Sequence, residues 1–459
     1  MRSTSLSTAP GRELRTVIRG AVHLPGDAAY DGARRIWNGA VDRRPAALVR
    51  CADERDVATA VRVARAHGLP LSVRGGGHDW AGRALCDGGV VVDLRALDAI
   101  TVDAAAGTAE VQGGVRAGGL VTAAHRHGAR AVLGTVKAVG VAGLTLGGGY
   151  GLLTGSHGLA ADNLLGAHVV LADGTEVTAD AEEHPDLYWA LRGGGGNFGV
   201  TTRLRLRVHP GTTVVSGLLL FPLDQAASVL RAHREVLAGA PDGLTVMAGF
   251  FTGPDGSPVL FLLPLWSGDP ARGEEVTGAL ARLGTPVFNG LAPMAYQDVL
   301  GLFDDTIVDG RHNEMRTRWL PGLTDTTTDL LVSAAARMTS PYSGIFLHHF
   351  HGAAARVPAD ATPFALRRDH LLVEIAGSWV PEGDTAADVA HREWARGVSA
   401  ELAGHALPGG YPNLLGADER DRALLGFGPN AARLLDVKRR YDPDGVFSAV
   451  PALAPARHP

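Results

Sequence analysis

The chain has 459 residues, 46% of them hydrophobic and 20% charged, with a formal net charge of −5 from 43 basic and 48 acidic side chains. This is the composition of a soluble globular protein long enough for two or three domains, and its slightly acidic balance gives no reason to expect a nucleic-acid partner. No segment supplies the roughly 20 uninterrupted apolar residues of a membrane span, and the opening run MRSTSLSTAPGREL lacks the apolar stretch of a secretory signal.

The first 209 residues read as short strands and helices in mixture. Residues 52–68 predict a helix with Asp53 as N-cap and Val57, Val61 and Ala64 on one face. LPLSV (69–73) predicts a strand that runs into RGGGHDW (74–80), and Val90–Val92 lie in a buried-strand pattern. A helix is expected over 116–128. Residues 165–179 predict a hairpin turning at Asp173-Gly174. DLYWALRG (186–193) predicts a short helix, and VTTRLRLRVHP (200–210) alternates Leu204, Leu206 and Val208 against Arg203, Arg205 and Arg207.

Beyond Pro210 the pattern changes to longer strand-like runs: VVSGLLLFPL, LTVMAGFFTG, SPVLFLLPLWSG, SGIFLHHFHG and DHLLVEIAGSWV. Helical segments at 224–238 and 385–403 intervene. The expected architecture is therefore α+β: residues 1–209 as one domain, 210–403 as an antiparallel sheet covered by helices on one side, and 404–459 returning to the first domain. A helix ending at Asp442-Pro443 belongs to that last segment. Cys51 and Cys86 are too few for a disulfide framework or a thiolate metal site, so two reduced thiols, a cytoplasmic location and no metal are expected.

The 61 glycines cluster at 75–77, 147–151 and 193–199. The last cluster contains a GxGxxG match at Gly194, Gly196 and Gly199, but a helix precedes it and a strand follows, the reverse of a Rossmann context. Three such loops converging on one extended anionic ligand account for the clusters better than three unrelated turns, because glycine lets backbone N–H groups approach an anion closely.

RGGGH (74–78), GLTLGGGYGLLTGSHGLAADNL (143–164), DLYWALRGGGGNFGV (186–200), and YPN followed by YDPDGVF near the end occur in order along nearly the whole chain. Together they resemble the FAD-linked oxidases of the vanillyl-alcohol-oxidase and para-cresol-methylhydroxylase (PCMH) superfamily, berberine-bridge-enzyme-like branch. The resemblance implies a two-domain PCMH-type FAD-binding fold and an FAD bonded covalently through its 8α carbon to His78. It places the pyrophosphate loop at Arg74, Gly75, Gly76, Gly77, His78 and Asp79. It assigns further FAD contacts to Thr135, Gly140, Gly143, Gly147, Gly148, Gly149, Asp162, Asn163 and Val200, and to Tyr411 and Asn413 near the ring. Relatives with a second, cysteinyl link carry the cysteine where Val136 stands, so a single link is implied. Ser448-Ala449-Val450-Pro451 departs from the family's C-terminal pattern and implies a looser contact of the tail with the FAD domain.

For activity, the resemblance implies oxidation of a small secondary metabolite by hydride transfer to flavin, with O2 as electron acceptor, in a monomer or homodimer. The familiar tyrosine base is replaced by Leu414. That departure keeps open an oxygenase or cyclase acting on a polyketide-type intermediate, or a flavin-holding sequestering protein. The candidates to move the substrate proton are His348, on the opposite strand face from His349 and His351, and Glu374, a carboxyl group in an otherwise apolar strand. For Glu374 an ion pair with Arg367 is the alternative. Tyr150 and Asn413 complete the candidate catalytic set.

Overall fold

The computed structural model describes residues 8–383, 385–449 and 453. Three sheets organise them. The first holds β1 (Ala21–His23), β2 (Ala47–Arg50), β3 (Leu71–Arg74) and β4 (Val90–Asp93) in the order β1-β2-β4-β3. The β2–β4 and β3–β4 pairs are parallel. Helix Glu54–Ala66 supplies the crossover that parallel pairing requires, and its N-cap is Asp53, which accepts from the Asp56 amide at 3.0 Å. β4 is buried along its length, as its Val90–Val92 run demands.

The second sheet is antiparallel: β5 (Ile100–Asp103), β6 (Thr108–Gln112), β7 (Ala129–Ala131), β8 (Leu164–Val170), β9 (Glu176–Ala179) and β10 (Val200–Pro210). In β10, Leu204, Leu206 and Val208 are buried while Arg205 and Arg207 face solvent, following the alternation in the sequence. Gly174, at φ +82, makes the β8–β9 turn.

The third sheet spans β11 (Thr213–Ser216), β12 (Leu219–Pro222), β13 (Leu244–Thr252), β14 (Pro258–Trp266), β15 (Phe288–Asn289), β16 (Ala292–Ala295), β17 (His312–Leu320), β18 (Gly344–Phe350) and β19 (His370–Trp379). VVSGLLLFPL, expected as one strand, is broken between β11 and β12. Gly217 sits there at φ +140, where a Cβ would lie 2.1 Å from the Gly290 carbonyl oxygen. One face of this sheet, carrying Val246, Ile345, Leu347, Val373 and Ile375, packs on helices Ala226–Ala238, Gly273–Ala281, Asp325–Ala336 and Thr385–Leu402. The other face looks toward the glycine loops of the first two sheets.

The segment after residue 403 is strapped between these layers. Trp80 Nε1 donates to Leu414 O at 3.0 Å, and Arg83 donates to the carbonyls of Pro412 and Asn413. Arg316, on β17, forms ion pairs with Glu314, Asp418 and Glu419. Further on, the Lys438 ammonium is buried. It bonds the Asp442 carboxylate and the carbonyls of Asn197 and Phe447. Phe447 is fully buried and, with Ser448 and Ala449, lines the central cavity, so the looser tail contact expected from the sequence is not found up to Ala449. Val450 and Pro451 lie outside the described residues.

Candidate active site

A single cavity of about 1090 Å³ runs from the glycine loop after β3 to the exposed face of the third sheet. It exceeds the usual range of about 300–1,000 Å³ for a small-ligand pocket.

At the loop end, backbone meets backbone. A Cβ on Gly76 would lie 2.4 Å from the amide nitrogen of Gly140, so any other residue would force the two segments apart. Gly77 takes φ +73. Among the described residues, the amides of Gly75, Gly76 and Gly77 donate to no protein acceptor. His78 follows, stacked on Trp37 with centroids 4.2 Å apart and planes at 14°. Its Nε2 is buried without a hydrogen-bond partner. Burial lowers its pKa to about 4, so the imidazole is neutral at physiological pH and retains a free lone pair. Unpartnered amides beside glycines and a buried, unpartnered imidazole suit an anionic ligand joined to a flat electrophilic group, as FAD is. Asp79, Thr135, Val136, Gly140 and Gly143 continue this wall.

At the sheet end stand His348 on β18 and Glu374 on β19. The register pairs Phe346 with Glu374 and His348 with Leu372, which puts His348 and Glu374 diagonally on one face. His348 Nε2 donates to Glu374 Oε2 at 3.3 Å, and the two side chains are 13% and 19% exposed, opening into the cavity. Arg367 is not the partner of Glu374. Its guanidinium makes two bonds to Asp162, at 2.7 and 2.8 Å. His349 and His351 point to the other side of β18 and stack on each other at 3.9 Å.

Between these ends, Tyr411 and Asn413 line the cavity. The Tyr411 hydroxyl accepts from the Gly149 amide at 2.8 Å and from Asn413 Nδ2 at 2.9 Å, and burial pushes its pKa up to about 12. Asn413 also donates to Leu144 O, so its amide serves to orient Tyr411 and cannot act as a base. Tyr150 is likewise unavailable. Trp319 Nε1 donates to its hydroxyl at 3.0 Å. His370 Nδ1 faces only the Arg368 carbonyl and must carry its proton there, so His370 Nε2 accepts the Tyr150 proton at 2.7 Å.

Several residues named from the sequence do not face the cavity. Arg74 turns away to bond Ala33 O and Arg35 O, both at 2.6 Å, anchoring the loop from behind. Gly147 makes room for Asn413, whose Oδ1 would lie 2.0 Å from a Cβ there. Gly148 and Gly149 hold positive φ under Tyr411 and against Ala160. Asp162 bonds the Leu159 amide and Arg367. Asn163 bonds the carbonyls of His157 and Leu159 and ring nitrogen Nε2 of His209. Val200 packs into the core of the first sheet. Conversely, Trp37, Phe346 and Ala376 line the site without a sequence motif. For the last two, alternation along β18 and β19 from His348 and Glu374 was the available signal.

A cavity that joins glycine loops with unpartnered amides to a His348–Glu374 pair on a facing sheet fits a flavin-dependent oxidoreductase. Residues 45–180 match the FAD binding domain family, and residues 410–452 match the berberine and berberine-like family. The (R)-6-hydroxynicotine oxidase of Paenarthrobacter nicotinovorans is 31% identical over 94% of this chain and 95% of its own. FAD-linked oxidoreductase pgmH of Aspergillus terreus is 31% identical over 97% and 96%. The crystal structure of 6-hydroxy-D-nicotine oxidase from Arthrobacter nicotinovorans superimposes with a TM-score of 0.85 at 30% identity, covering 94% of this chain and 97% of that one. Berberine bridge enzyme in complex with (S)-reticuline shares the fold at a TM-score of 0.87 and 20% identity, over 98% and 99% of the two chains. The chain belongs to the berberine-bridge-enzyme-like FAD-linked oxidoreductases. Among the described residues no helix is long and apolar enough to cross a membrane.

Proposed function

We propose that this FAD-linked oxidoreductase is an oxidase that dehydrogenates a small molecule at a C–H bond next to an ionisable O–H or N–H, with FAD tethered through His78 alone and O2 as final acceptor. Residues 1–209 and 404–459 hold the cofactor, and 210–403 the substrate. The observation that carries this reading is the continuity of one cavity from unpartnered His78 to the His348–Glu374 pair. Bound FAD supplies a two-electron acceptor that O2 can regenerate. Glu374 takes the substrate proton at Oε, and His348 shares the charge through Nε2, replacing the absent tyrosine at position 414. Gly75–Gly77 hold the pyrophosphate, and Trp37 keeps the His78 ring in place. Val136 on the cavity wall has no nucleophilic atom, which supports a single tether.

The test is anaerobic addition of candidate substrates to the purified yellow protein, followed by the same titration of Glu374→Gln. Bleaching near 450 nm (about where any oxidised flavin absorbs) and its slowing in the variant are expected. Undiminished bleaching in Glu374→Gln removes the proposed base, and no bleaching with any small molecule removes the oxidase.

A further inference from the structure

Resting on that reading, the paving of the sheet end carries a statement about substrate class. Two glycines shape it. A Cβ on Gly249 would lie 2.0 Å from the Ile345 carbonyl oxygen and 2.9 Å from Phe261 Cε1, and one on Gly344 would lie 2.9 Å from Phe346 Cζ. The missing Cβ atoms let both rings lean back over the strands instead of standing up into the cavity. Phe303, from the loop after the helix Tyr296–Val299, closes on them edge-on, 5.7 Å from Phe261 and 6.3 Å from Phe346 at 64° and 85°. Phe251 stands 5.3 Å from Phe261.

Phe346, Phe251 and Phe303 line the cavity. In the register Phe346 is the direct neighbour of Glu374. Further along the same strand come Ala376, opposite Met315 of β17, and then Ser378. An aromatic wall therefore adjoins the proton-accepting carboxyl group within one cross-strand step, and a small residue leaves space beyond it. A sugar placed against Phe346, Phe251 and Phe303 would leave the hydroxyls on that side facing ring carbon, desolvated and unpaired. A flat ring would find edge and face partners in the geometry aromatic groups favour.

We propose that the cavity selects a planar aromatic substrate whose acidic O–H or N–H reaches Glu374, with Phe346 as the ring-contacting specificity residue and Gly344 as the residue that sets its position. Gly344→Ala is the incisive variant. The new Cβ would lie 2.9 Å from Phe346 Cζ, which must move, and 3.0 Å from the Phe250 carbonyl oxygen, so the melting curve reports whether the strand pair is kept.

The experiment is equilibrium titration of the holoprotein with 2-naphthol, phenol and cellobiose, read by the visible difference spectrum. FAD content and the melting curve are checked in each variant. Saturable binding of 2-naphthol, tighter than phenol, and none of cellobiose are expected. Phe346→Ala and Gly344→Ala should each weaken 2-naphthol by about tenfold while retaining FAD. Cellobiose binding as tightly as 2-naphthol overturns the proposal, as does an unchanged 2-naphthol affinity in both variants. Failure of the oxidase reading looks different: 2-naphthol binds with the expected variant effects, but no aromatic substrate is ever turned over.

Discussion

At the Gly75–His78 end of the cavity, backbone packs against backbone. The loop lies so near Gly140 that a single methyl group would not fit. At the β18–β19 end the backbone is ordinary sheet, and side chains from three different strands do the shaping: Phe346, His348, Glu374, Ala376 and Met315. The contrast teaches how the two halves can vary. A backbone-built cradle tolerates almost no substitution and suits one fixed ligand. A side-chain-built wall can be re-cut residue by residue for a new substrate while the register stays intact.

The contrast can be broken most sharply at His78. His78→Ala should abolish acid-stable flavin completely, so that the denatured band no longer fluoresces, while the sheet end is untouched. A flavin peptide containing any other residue as the attachment point would contradict the single tether. Next in size, Glu374→Gln should lower kcat by about 100- to 10,000-fold, the usual span for a lost general base, with FAD attachment unchanged. His348→Gln should cost less, because Glu374 remains, and should shift the pH profile of kcat, measured by steady-state rates across pH.

A smaller effect joins the two halves through the tail. Lys438→Met leaves the buried Asp442 carboxylate without its cation, held only by the Val446 and Phe447 amides, and should destabilise by about 3–5 kcal/mol. Denaturant titration would read this, and a loss under 1 kcal/mol (roughly that of an exposed pair) would show the contact to be expendable. The last expected effect concerns pH. Burial lowers His157, His209 and His233 to about 4, and His370 to about 3. Between those values and the unfolded value of about 6.5, the unfolded chain binds more protons than the native one. The resulting stability is fully present above pH ~6.5 and is lost as pH falls toward 4 and 3. Thermal melts across this window should show it, and His233→Leu, far from the cavity wall, should flatten the slope by one group's share.

The cofactor half was the legible one. Its demands fall on neighbouring residues, so Gly75, Gly76, Gly77 and His78 stand together in the sequence, and the β10 alternation and the Asp53 cap are equally local. Motif proximity overreached at Arg74, Asp162, Asn163 and Val200. These residues shape or brace the loops from behind, and a sequence pattern does not say which side of a loop faces the ligand. The pairing of His348 with Glu374, and of Arg367 with Asp162, depends on which strands are neighbours and in what register, information distributed over some hundred residues of chain. Trp37 was invisible for the same reason: it meets His78 only because the chain folds back over the first sheet.

Phe447, Ser448 and Ala449 close the same cavity that Trp37 and Gly75 open. During synthesis, then, the vessel for the flavin has no complete wall until residue 449 has been made and Lys438 has clasped Asn197 and Phe447. A chain stopped between residues 200 and 437 would carry every glycine motif and no finished wall for the pocket.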